Sequence, residues 1–569
     1  MMKSSVPKRG RLALINLATC TVSLVHFGSK KKPLKMQAIS SFLWFSLFFL
    51  THNTNAAPKI PSKERDPTFW RAQAKEELKL TLGKKEINGV AKNVIMFLGD
   101  GMGVATVTAA RIYKGQLNGN PGEETVLSFE EFPNLGLAKT YNIDRQTPDS
   151  AATATAYLCG VKGNYATLGV DPTVPRSDCI AQKGREVTSI LDWSKAVGKS
   201  VGIVTTSRIT HASPAALYAH TAERDWEGDA DMEGVDGDCK DIAYQLIYDN
   251  ADIEVLLGGG RRHFMLKNQT DPETGKIDSN KQRKDGRDLI KAWAADKDAR
   301  NKFHTYVWNK EQFDNVDPRN TDYLLGLFEP SHMQYELERD KSGNGEPSLA
   351  EMTQKAIQIL QKNEKGFFLF VEGARIDHAH HDTLPKKALD EVVAMDAAVQ
   401  MAMKLTNEMD TLIVVTADHS HVFNIAGYPY RGNNILGLVD PISEELGPMD
   451  GMPYTTLIYG NGPNYSNGNR TNLTGVDTTH KDFVFSSAVP MADETHGAEE
   501  VAIYARGPMA HLFQRTHEQN YIPHVMAYAS CVGEYVTDCD RPIRSVASGP
   551  VSMITVIFVC ILCSKHWTF

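Results

Sequence analysis

Short, almost wholly apolar segments recur along most of the chain and set its predicted architecture. The clearest are Val94–Leu98, Val201–Thr205, Phe367–Val371 and Leu412–Thr416. Continuous apolar runs of this length are typical of strands that are buried on both faces, and such burial is typical of parallel pairing. The four segments therefore predict neighbouring strands of a mostly parallel sheet.

Segments with a helical spacing of apolar residues separate these strands. They include Thr106–Lys114, Val187–Lys195 and Leu349–Leu360. Strands that alternate with helices indicate a layered α/β fold. We expect a three-layer sandwich, with a large, mostly parallel central sheet and helices on both faces.

Two regions depart from this alternation. The region from about 427 to 490 is rich in Gly, Asn, Pro and Ser, which predicts a small, crown-like surface insertion. Ahead of the first strand, Pro67–Leu82 has an amphipathic helical pattern that begins after Asp66. We expect this helix to dock on its own subunit or on a partner.

Composition describes an ordinary globular chain, with 569 residues, 42% hydrophobic and 23% charged. The formal net charge is −8, although residues 1–57 contain eight Lys or Arg and no Asp or Glu. The remainder is therefore more acidic still. Such a surface repels polyanions, which argues against nucleic-acid binding.

The N-terminal residues have the order of a secretory signal. Basic residues at Lys30–Lys35 precede an apolar run at Phe42–Leu50 and the small residues Ala56 and Ala57. A second apolar segment, Leu12–Phe27, is either a redundant anchor or part of an upstream extension. We therefore assign 1–57 to an upstream extension and signal peptide, and expect the chain to be exported.

The C-terminal residues 541–569 predict a lipid anchor. Val551–Cys563 is apolar but too short to span a bilayer, and small residues at Ser545, Ala547, Ser548 and Gly549 precede it. This order is typical of a GPI-attachment signal, whose tail is removed. A poorly inserted helix is the alternative, and secretion without an anchor is the other localisation left open. We expect residues 58–540 to form the main folded domain.

Export also favours disulfides and glycans. We expect Cys179 to pair with Cys239 and Cys531 with Cys539, which leaves Cys159 free; the alternative is that all remain reduced. Glycosylation triplets begin at Asn268, Asn464, Asn469 and Asn472.

One serine stands at a predicted helix start. In the run Thr147–Ala156, Pro148 and Asp149 suit the first turn of a helix, and Ser150 follows them. Unpaired N–H groups at a helix start attract anions such as phosphate. Ser150 is thus a candidate nucleophile, with an ordinary capping serine as the alternative.

Polar side chains follow each of the four apolar segments. They are Asp100 after the first, His211 and Ser213 after the second, Glu372 after the third, and Asp418 and His419 after the fourth. Ligands of open α/β sheets bind outside the carboxyl ends of the strands, so we expect these groups to converge on one pocket.

Three histidine-containing segments add metal-ligand spacing. Asp377 and His381 are four residues apart, Asp418-His419-Ser420-His421 follows a strand, and Glu494-Thr495-His496 precedes the predicted strand Val501–Ala505. Carboxylate and imidazole together suit Zn²⁺. Any one segment alone fits a polar surface, but the combination predicts a metal centre.

These motifs carry a resemblance to a known family. They are Phe97-Leu98-Gly99-Asp100-Gly101-Met102-Gly103, Pro148-Asp149-Ser150, His211-Ala212-Ser213-Pro214, Val371-Glu372-Gly373, Ile376-Asp377-His378, Thr416-Ala417-Asp418-His419-Ser420-His421 and Glu494-Thr495-His496. In this combination the chain resembles the animal alkaline phosphatases over about residues 60–540. The resemblance implies hydrolysis of small phosphate monoesters through a phosphoserine, a homodimer, two zinc ions and one magnesium ion.

The resemblance also implies a role for each matching residue. One zinc would bind Asp377, His381 and His496; the second would bind Asp100, Asp418, His419 and the Ser150 oxygen; magnesium would bind Asp100, Ser213 and Glu372. Arg224 matches the arginine that clamps phosphate, and His211, His378 and His421 match groups that surround the ligands. A calcium site is suggested at Glu273, the Phe328 carbonyl, Glu329 and Glu346, where aspartate would be expected at the last position.

Two other functions stay open at this point. One is a different metal-dependent hydrolase of similar architecture, such as a phosphodiesterase, a sulfatase or a cofactor-independent mutase. The residues after Ser150 are Ala151-Ala152-Thr153, which do not form the Cys/Ser-x-Pro-x-Arg segment of a sulfatase. The other is a surface-anchored binding protein without turnover, which a missing ligand or nucleophile would indicate.

Overall fold

The computed structural model describes residues 61–440 and 447–538. The segments assigned to the upstream extension and signal peptide (1–57) and to the anchor signal (541–569) lie outside these residues, as does Cys539. No helix in the described ranges is both long and apolar enough to cross a bilayer.

The strands are β1 Asn93–Gly99, β2 Asn134–Lys139, β3 Ser200–Arg208, β4 Val255–Gly259, β5 His304–Val307, β6 Tyr323–Leu327, β7 Phe367–Gly373, β8 Thr411–Ala417, β9 Ser420–His421, β10 Phe423–Ile425, β11 Leu457–Gly462, β12 Ser487–Pro490, β13 His496–Gly497, β14 Val501–Arg506 and β15 Arg515–Glu518. Ten of them form one sheet in the order β15-β2-β14-β8-β1-β7-β3-β4-β6-β5. Within this sheet β14 runs antiparallel to its neighbours and the other pairs are parallel. The mostly parallel central sheet is thus confirmed.

The helices are α1 Pro67–Leu82, α2 Val104–Leu117, α3 Ser150–Cys159, α4 Ile190–Ala196, α5 Ala212–Ala215, α6 Ile242–Tyr244, α7 Leu289–Ala299, α8 Lys310–Asp314, α9 Leu349–Leu360, α10 Arg375–His381, α11 Pro385–Leu405 and α12 Tyr521–Ser530. Two groups of helices pack on the central strands: α2, α9 and α11 form one, and α3, α4 and α12 form the other. The α/β sandwich predicted from the apolar pattern is therefore the observed architecture.

The apolar runs explain the position of the core. All nine residues of β3 except Arg208, and every residue of β7 and β8, are buried. Because both faces of these strands are covered, their backbone is held rigidly up to the last residue. β7 extends two residues beyond the predicted Phe367–Val371, so that Glu372 lies within the strand.

One helix begins later than its pattern predicts. α4 begins at Ile190, three residues after Val187, because Ser189 caps it. The Ser189 hydroxyl accepts hydrogen bonds from the backbone N–H groups of Leu191 at 3.1 Å and Asp192 at 3.4 Å. A capping side chain competes with the helical turn before it and fixes the start.

The two regions that depart from the alternation have different structures. β11 and β12 lie in the region of the predicted insertion, and with β10, which lies just before that region, they form a separate three-stranded sheet. α1 has the predicted bounds, and the Asp66 carboxylate accepts a hydrogen bond from the Thr68 backbone at 2.9 Å. None of the α1 residues is buried in the described part of the chain, and Trp70 is 49% exposed. Docking of α1 on a second copy therefore stays a prediction.

The cysteines follow the expected pairing where they are described. Cys179 and Cys239 form a disulfide with a Cα–Cα distance of 5.8 Å, and Cys159 is free and buried at the end of α3. The pairing of Cys531 with Cys539 stays a prediction because Cys539 lies outside the described residues.

Candidate active site

Carboxylates collect at the carboxyl end of the central strands. β8, β1, β7 and β3 are parallel neighbours, so their ends meet at one edge of the sheet. Asp100 follows β1, Glu372 is the penultimate residue of β7, and Asp418 follows β8. All three are fully buried, at 0% exposure. This edge is where open α/β sheets bind ligands.

Ser150 is the first residue of α3, and its side chain is buried at the same edge. The Asp149 carboxylate caps the helix by accepting from the backbone N–H groups of Ala151 at 3.2 Å and Ala152 at 3.4 Å. The Ser150 Oγ lies 3.2 Å from Nε2 of His419. The helix start therefore points a hydroxyl, with the positive end of the helix dipole behind it, at the metal-type ligands.

Three groups of potential ligands meet around Ser150, and the first is the Asp377 group, made of Asp377, His381 and His496. Oδ1 of Asp377 lies 3.3 Å from Nε2 of His381 and 3.3 Å from Nε2 of His496. The two Nε2 atoms are 3.1 Å apart. Three ligand atoms, two from imidazoles and one from a carboxylate, thus face one point.

Backbone carbonyls fix the tautomers of these two histidines. Nδ1 of His496 donates to the Pro148 carbonyl at 2.8 Å, and Nδ1 of His381 donates to the Glu494 carbonyl. Because Nδ1 carries the proton, each Nε2 presents a lone pair to the shared point. Burial lowers the pKa of His496 to about 4, which favours this neutral form. Two lone pairs and a carboxylate oxygen at these distances fit a cation such as Zn²⁺.

The Asp418 group consists of Asp100, Asp418, His419 and the Ser150 oxygen. Nε2 of His419 lies 3.0 Å from Oδ2 of Asp418 and 3.6 Å from Oδ1 of Asp100. Oδ1 of Asp418 accepts from the backbone N–H groups of Gly101 and His419, both at 2.9 Å. Oδ2 of Asp418 and both oxygens of Asp100 are buried and accept no hydrogen bond. Oxygens left in this state fit a second cation.

The Glu372 group consists of Asp100, Ser213 and Glu372, and it offers oxygen ligands alone. Oε2 of Glu372 accepts from the hydroxyls of Thr205 and, at 3.2 Å, Ser207. Oε1 of Glu372 and Oγ of Ser213 are buried and have no hydrogen-bond partner. An all-oxygen set suits a hard cation such as Mg²⁺. Thr205 and Ser207 escaped the sequence analysis because hydroxyl residues in a buried strand carry no motif.

The buried carboxylates at this edge of the sheet require positive charge nearby. Burial, followed by the Asp418 carboxylate, raises the pKa of Asp100 well above its usual range. Burial likewise raises the pKa of Glu372 to about 7. Burial acts in the same direction on Asp418, but the His419 imidazole outweighs it and holds the pKa at about 2. Several buried carboxylates with free oxygens are costly unless cations pair with them.

Arg224 lies beside the start of α3. Its Nη1 donates to Oδ2 of Asp149 at 3.2 Å, and its Nη2 lies 3.3 Å from Nε2 of His211. The Arg224 side chain is 19% exposed. A planar fork next to Ser150 is suited to two oxygens of a phosphoryl group.

The remaining histidines have distinct surroundings. Nε2 of His421 lies 2.9 Å from Oδ1 of Asp377, and its Nδ1 contacts Glu494. Burial opposes the charge on His421, but the Glu494 and Asp377 carboxylates raise its pKa to about 10. His378 instead packs against His332, with ring centroids 4.1 Å apart and the rings tilted by 58°. His332 was missed, although Glu329 lies three residues before it in the sequence.

The predicted calcium ligands lie apart from this edge in sequence, and the structure brings their carboxylates near one another. The Gln334 backbone N–H donates to Glu346 at 2.6 Å, and the Gln334 side chain donates to Glu329 at 3.0 Å. Burial raises the pKa of Glu346 to about 9, and burial with the Glu273 carboxylate raises that of Glu329 to about 7. Arg261 donates to Glu273 at 2.7 Å. Oε2 of Glu346 is buried without a partner, which fits a cation.

Comparison with known proteins agrees with this geometry. The family model described as alkaline phosphatase matches residues 91–532. The chain is 53% identical to the human tissue-nonspecific isozyme of alkaline phosphatase over 88% of this chain and 95% of that protein. It is 51% identical to the alkaline phosphatase of Gadus morhua over 84% of this chain and 99% of that protein.

Solved structures show the same fold at low identity. The alkaline phosphatase of Thermus thermophilus superposes with a TM-score of 0.55 at 23% identity, covering 79% of this chain and 93% of that chain. The enzyme from the Antarctic bacterium TAB5 gives a TM-score of 0.53 at 22% identity, covering 79% of this chain and 100% of that chain. With the family model covering most of its length and animal relatives at about half identity, the chain belongs to the alkaline phosphatase family.

Proposed function

We propose that the protein hydrolyses phosphate monoesters to an alcohol and inorganic phosphate through a phosphoserine at Ser150. The observation that carries this proposal is the set of imidazole lone pairs and unpartnered carboxylate oxygens at the sheet edge, where the Ser150 hydroxyl contacts His419. Two zinc ions at the Asp377 and Asp418 groups and one magnesium ion at the Glu372 group fit these donors. When bound, such ions neutralise the phosphoryl dianion and stabilise the attacking and leaving oxygens.

The chain's own residues account for the two displacements. Ser150 Oγ forms a bond to phosphorus while the ester P–O bond breaks and the alcohol leaves with a proton. A water oxygen then bonds to phosphorus while the bond between Ser150 Oγ and phosphorus breaks, which releases phosphate, and one proton of the water goes to the Ser150 oxygen. The α3 N-terminus supplies a positive dipole end, and Arg224 holds two phosphoryl oxygens in line for both steps.

A phosphodiesterase or another metal-dependent hydrolase is the competing function. Initial rates on p-nitrophenyl phosphate and bis-p-nitrophenyl phosphate separate the two, and we expect the monoester to be preferred. A chelator should abolish the monoester activity, and added zinc should restore it. Preference for the diester, or activity that survives complete removal of metal, would contradict the proposal.

The Glu346 group, defined as Glu273, Glu329, Glu346 and the Phe328 carbonyl, is proposed to bind calcium. Its three carboxylates and one carbonyl are oxygen ligands, and flexible oxygen shells suit Ca²⁺. Glutamate at position 346 in place of aspartate makes one ligand side chain longer, which a flexible calcium shell of about seven or eight oxygen ligands can accommodate. The role that fits this group is structural, because its residues belong to segments other than those that hold Ser150.

Export, a lipid anchor and a homodimer complete the proposal. The order of basic, apolar and small residues before 58 supports export, and residues 541–569 support GPI attachment at the outer face of the cell membrane, with secretion as the alternative. The exposed apolar residues of α1, such as Trp70 and Leu78, support docking on a second copy.

A further inference from the structure

Glu494 is a buried residue that contacts the Asp377 group without belonging to it. It is 1% exposed, and its position two residues before His496 places it next to β13. Its Oε1 accepts from the Val422 backbone N–H at 2.8 Å, and its Oε2 contacts Nδ1 of His421. Both carboxylate oxygens are therefore engaged, and each is held by the segment that carries His421.

The backbone of Glu494 makes two hydrogen bonds with a second residue, His381. Its N–H donates to the His381 carbonyl at 2.9 Å, while its own carbonyl accepts from Nδ1 of His381. This reciprocal pair fixes both the backbone and the ring of His381. The Nε2 atom of that ring then has one orientation, toward Asp377 and His496.

The side chain reaches Asp377 through His421. Nε2 of His421 lies 2.9 Å from Oδ1 of Asp377, the oxygen that also faces Nε2 of His381 and His496. His421 is in addition the strand partner of His496, across the β9–β13 pair. Glu494 thus contacts His381 through its backbone and His421 through its side chain, and it lies two residues before His496. His421 in turn contacts Asp377.

The Asp418 group is oriented in a different way. Asp418 is held by the backbone N–H groups of Gly101 and His419, and Nδ1 of His419 faces the carbonyl of Ser420 at 3.2 Å. Glu494 takes part in none of these contacts. The two groups should therefore respond differently to loss of the Glu494 carboxylate.

We propose that Glu494 is a positioning residue that holds Asp377 and His381 in ion-binding geometry and so sets how slowly this one site releases its zinc. The proposal deepens the proposed function and rests on it. Partners that orient metal ligands by hydrogen bonds typically contribute 10–100-fold to metal affinity or activity. An ordinary buried acid that only anchors a loop would affect both zinc sites, or neither.

The test compares Glu494→Gln with Glu500→Gln in the metal-loaded, full-length protein. Glu500 is exposed and lies between β13 and β14, so its variant makes the same change of charge without the contacts. Zinc release into a chromogenic chelator is followed with time. We expect Glu494→Gln to release one of two zinc ions roughly 10–100-fold faster, with the second ion and the control unchanged. Excess zinc should restore kcat, and KM should stay near the wild-type value.

A second variant keeps the test decisive if Glu494→Gln folds poorly. His421→Asn removes the link to Asp377 and should speed release of the same single ion, and the double variant should add little to the faster single variant. Wild-type release from Glu494→Gln, or equal acceleration of both ions, would overturn the positioning role. A wild-type protein that binds no zinc would overturn the proposed function as well, which distinguishes the two failures.

Discussion

The edge of the central sheet and the Glu346 group both gather buried carboxylates, yet they differ in what accompanies those carboxylates. At the edge, imidazoles from His381, His419 and His496 stand among the acids with their Nε2 lone pairs turned inward. In the Glu346 group, the carboxylates meet an amide and a guanidinium, from Gln334 and Arg261.

This difference in neighbouring groups predicts that the two regions have different chemistry, although both gather buried carboxylates. Nitrogen lone pairs with a carboxylate select a borderline metal and leave a position open for a substrate oxygen, whereas an oxygen cage suits calcium and closes around it. The edge also contains a hydroxyl at a helix start, and the Glu346 group does not. Turnover should therefore depend on the edge, and the Glu346 group should contribute stability.

The sharpest separation of the two regions comes from Ser150→Ala. Because the Ser150 oxygen is the proposed nucleophile, its loss should lower kcat on p-nitrophenyl phosphate roughly a thousand-fold or more. Thermal stability and the zinc of the Asp377 group should change little, since alanine suits the first turn of a helix and that group keeps all of its ligands. Stopped-assay rates together with metal analysis measure both effects.

Thr155→Ala is the matched control for Ser150→Ala. It removes another buried hydroxyl from α3, one that donates to the Ala151 carbonyl and accepts from the Gly169 backbone N–H, both at 3.0 Å. Because the change leaves the Gly169 N–H without its acceptor, we expect a loss of stability of about 1–3 kcal/mol, with near wild-type turnover. If Ser150→Ala kept full activity, the covalent mechanism would be wrong, whatever the metal content.

The predictability of the two regions from sequence also differs, for a physical reason. Asp100 directly follows the end of a strand, and Asp377 and His381 are one helical turn apart. Because these positions are so constrained, the apolar pattern together with the adjacent ligand residues predicts that all three lie at one edge of the sheet. The same holds for the sheet, because runs buried on both faces can pair in few ways. The Glu346 group sits on loops, where no period relates the position of Glu273 to that of Glu346.

Other features of the edge depend on tertiary contacts that sequence does not encode locally. Thr205 and Ser207 hold Glu372 from a neighbouring strand, and His332 packs on His378 from a distant loop. The late start of α4 does have a local signal, the Ser189 cap, but the spacing of apolar residues predicted an earlier start at Val187. Side chains that orient ligands are thus harder to find than the ligands, since any hydroxyl or glutamate can serve.

Glu346→Gln tests the second region, with a smaller expected effect. It removes one carboxylate from the proposed calcium ligands and should abolish the rise in thermal stability that calcium gives to the wild type. Binding at a calcium concentration a hundred times Kd stabilises a folded protein by about 2.7 kcal/mol. The shift of the denaturation midpoint on calcium addition, at fixed zinc and magnesium, measures it.

Glu364→Gln provides the control for this variant, because Glu364 is exposed and its change removes the same charge. Its calcium response should match the wild type, and kcat should be equal in all three proteins. A loss of kcat in Glu346→Gln under saturating zinc would mean that the two regions are coupled, which would break the comparison.

The last test concerns Glu391, a buried acid that belongs to neither region and shows what burial does without metal-type neighbours. Its Oε1 accepts from the Glu336 backbone N–H at 2.6 Å, and burial raises its pKa from 4.5 to about 8. Between these values the folded state binds a proton that the unfolded state has lost. The free energy of unfolding should therefore fall as pH rises from about 4.5 to about 8, by at most about 1.4 kcal/mol per pH unit.

Glu391→Gln should remove that slope, because a glutamine keeps the acceptor and does not titrate. Denaturant unfolding of wild type and variant between pH 5 and pH 8, with metals held in excess, gives the difference. Parallel profiles would show that Glu391 is ionised when folded, and burial alone would then no longer explain the raised pKa values at the edge.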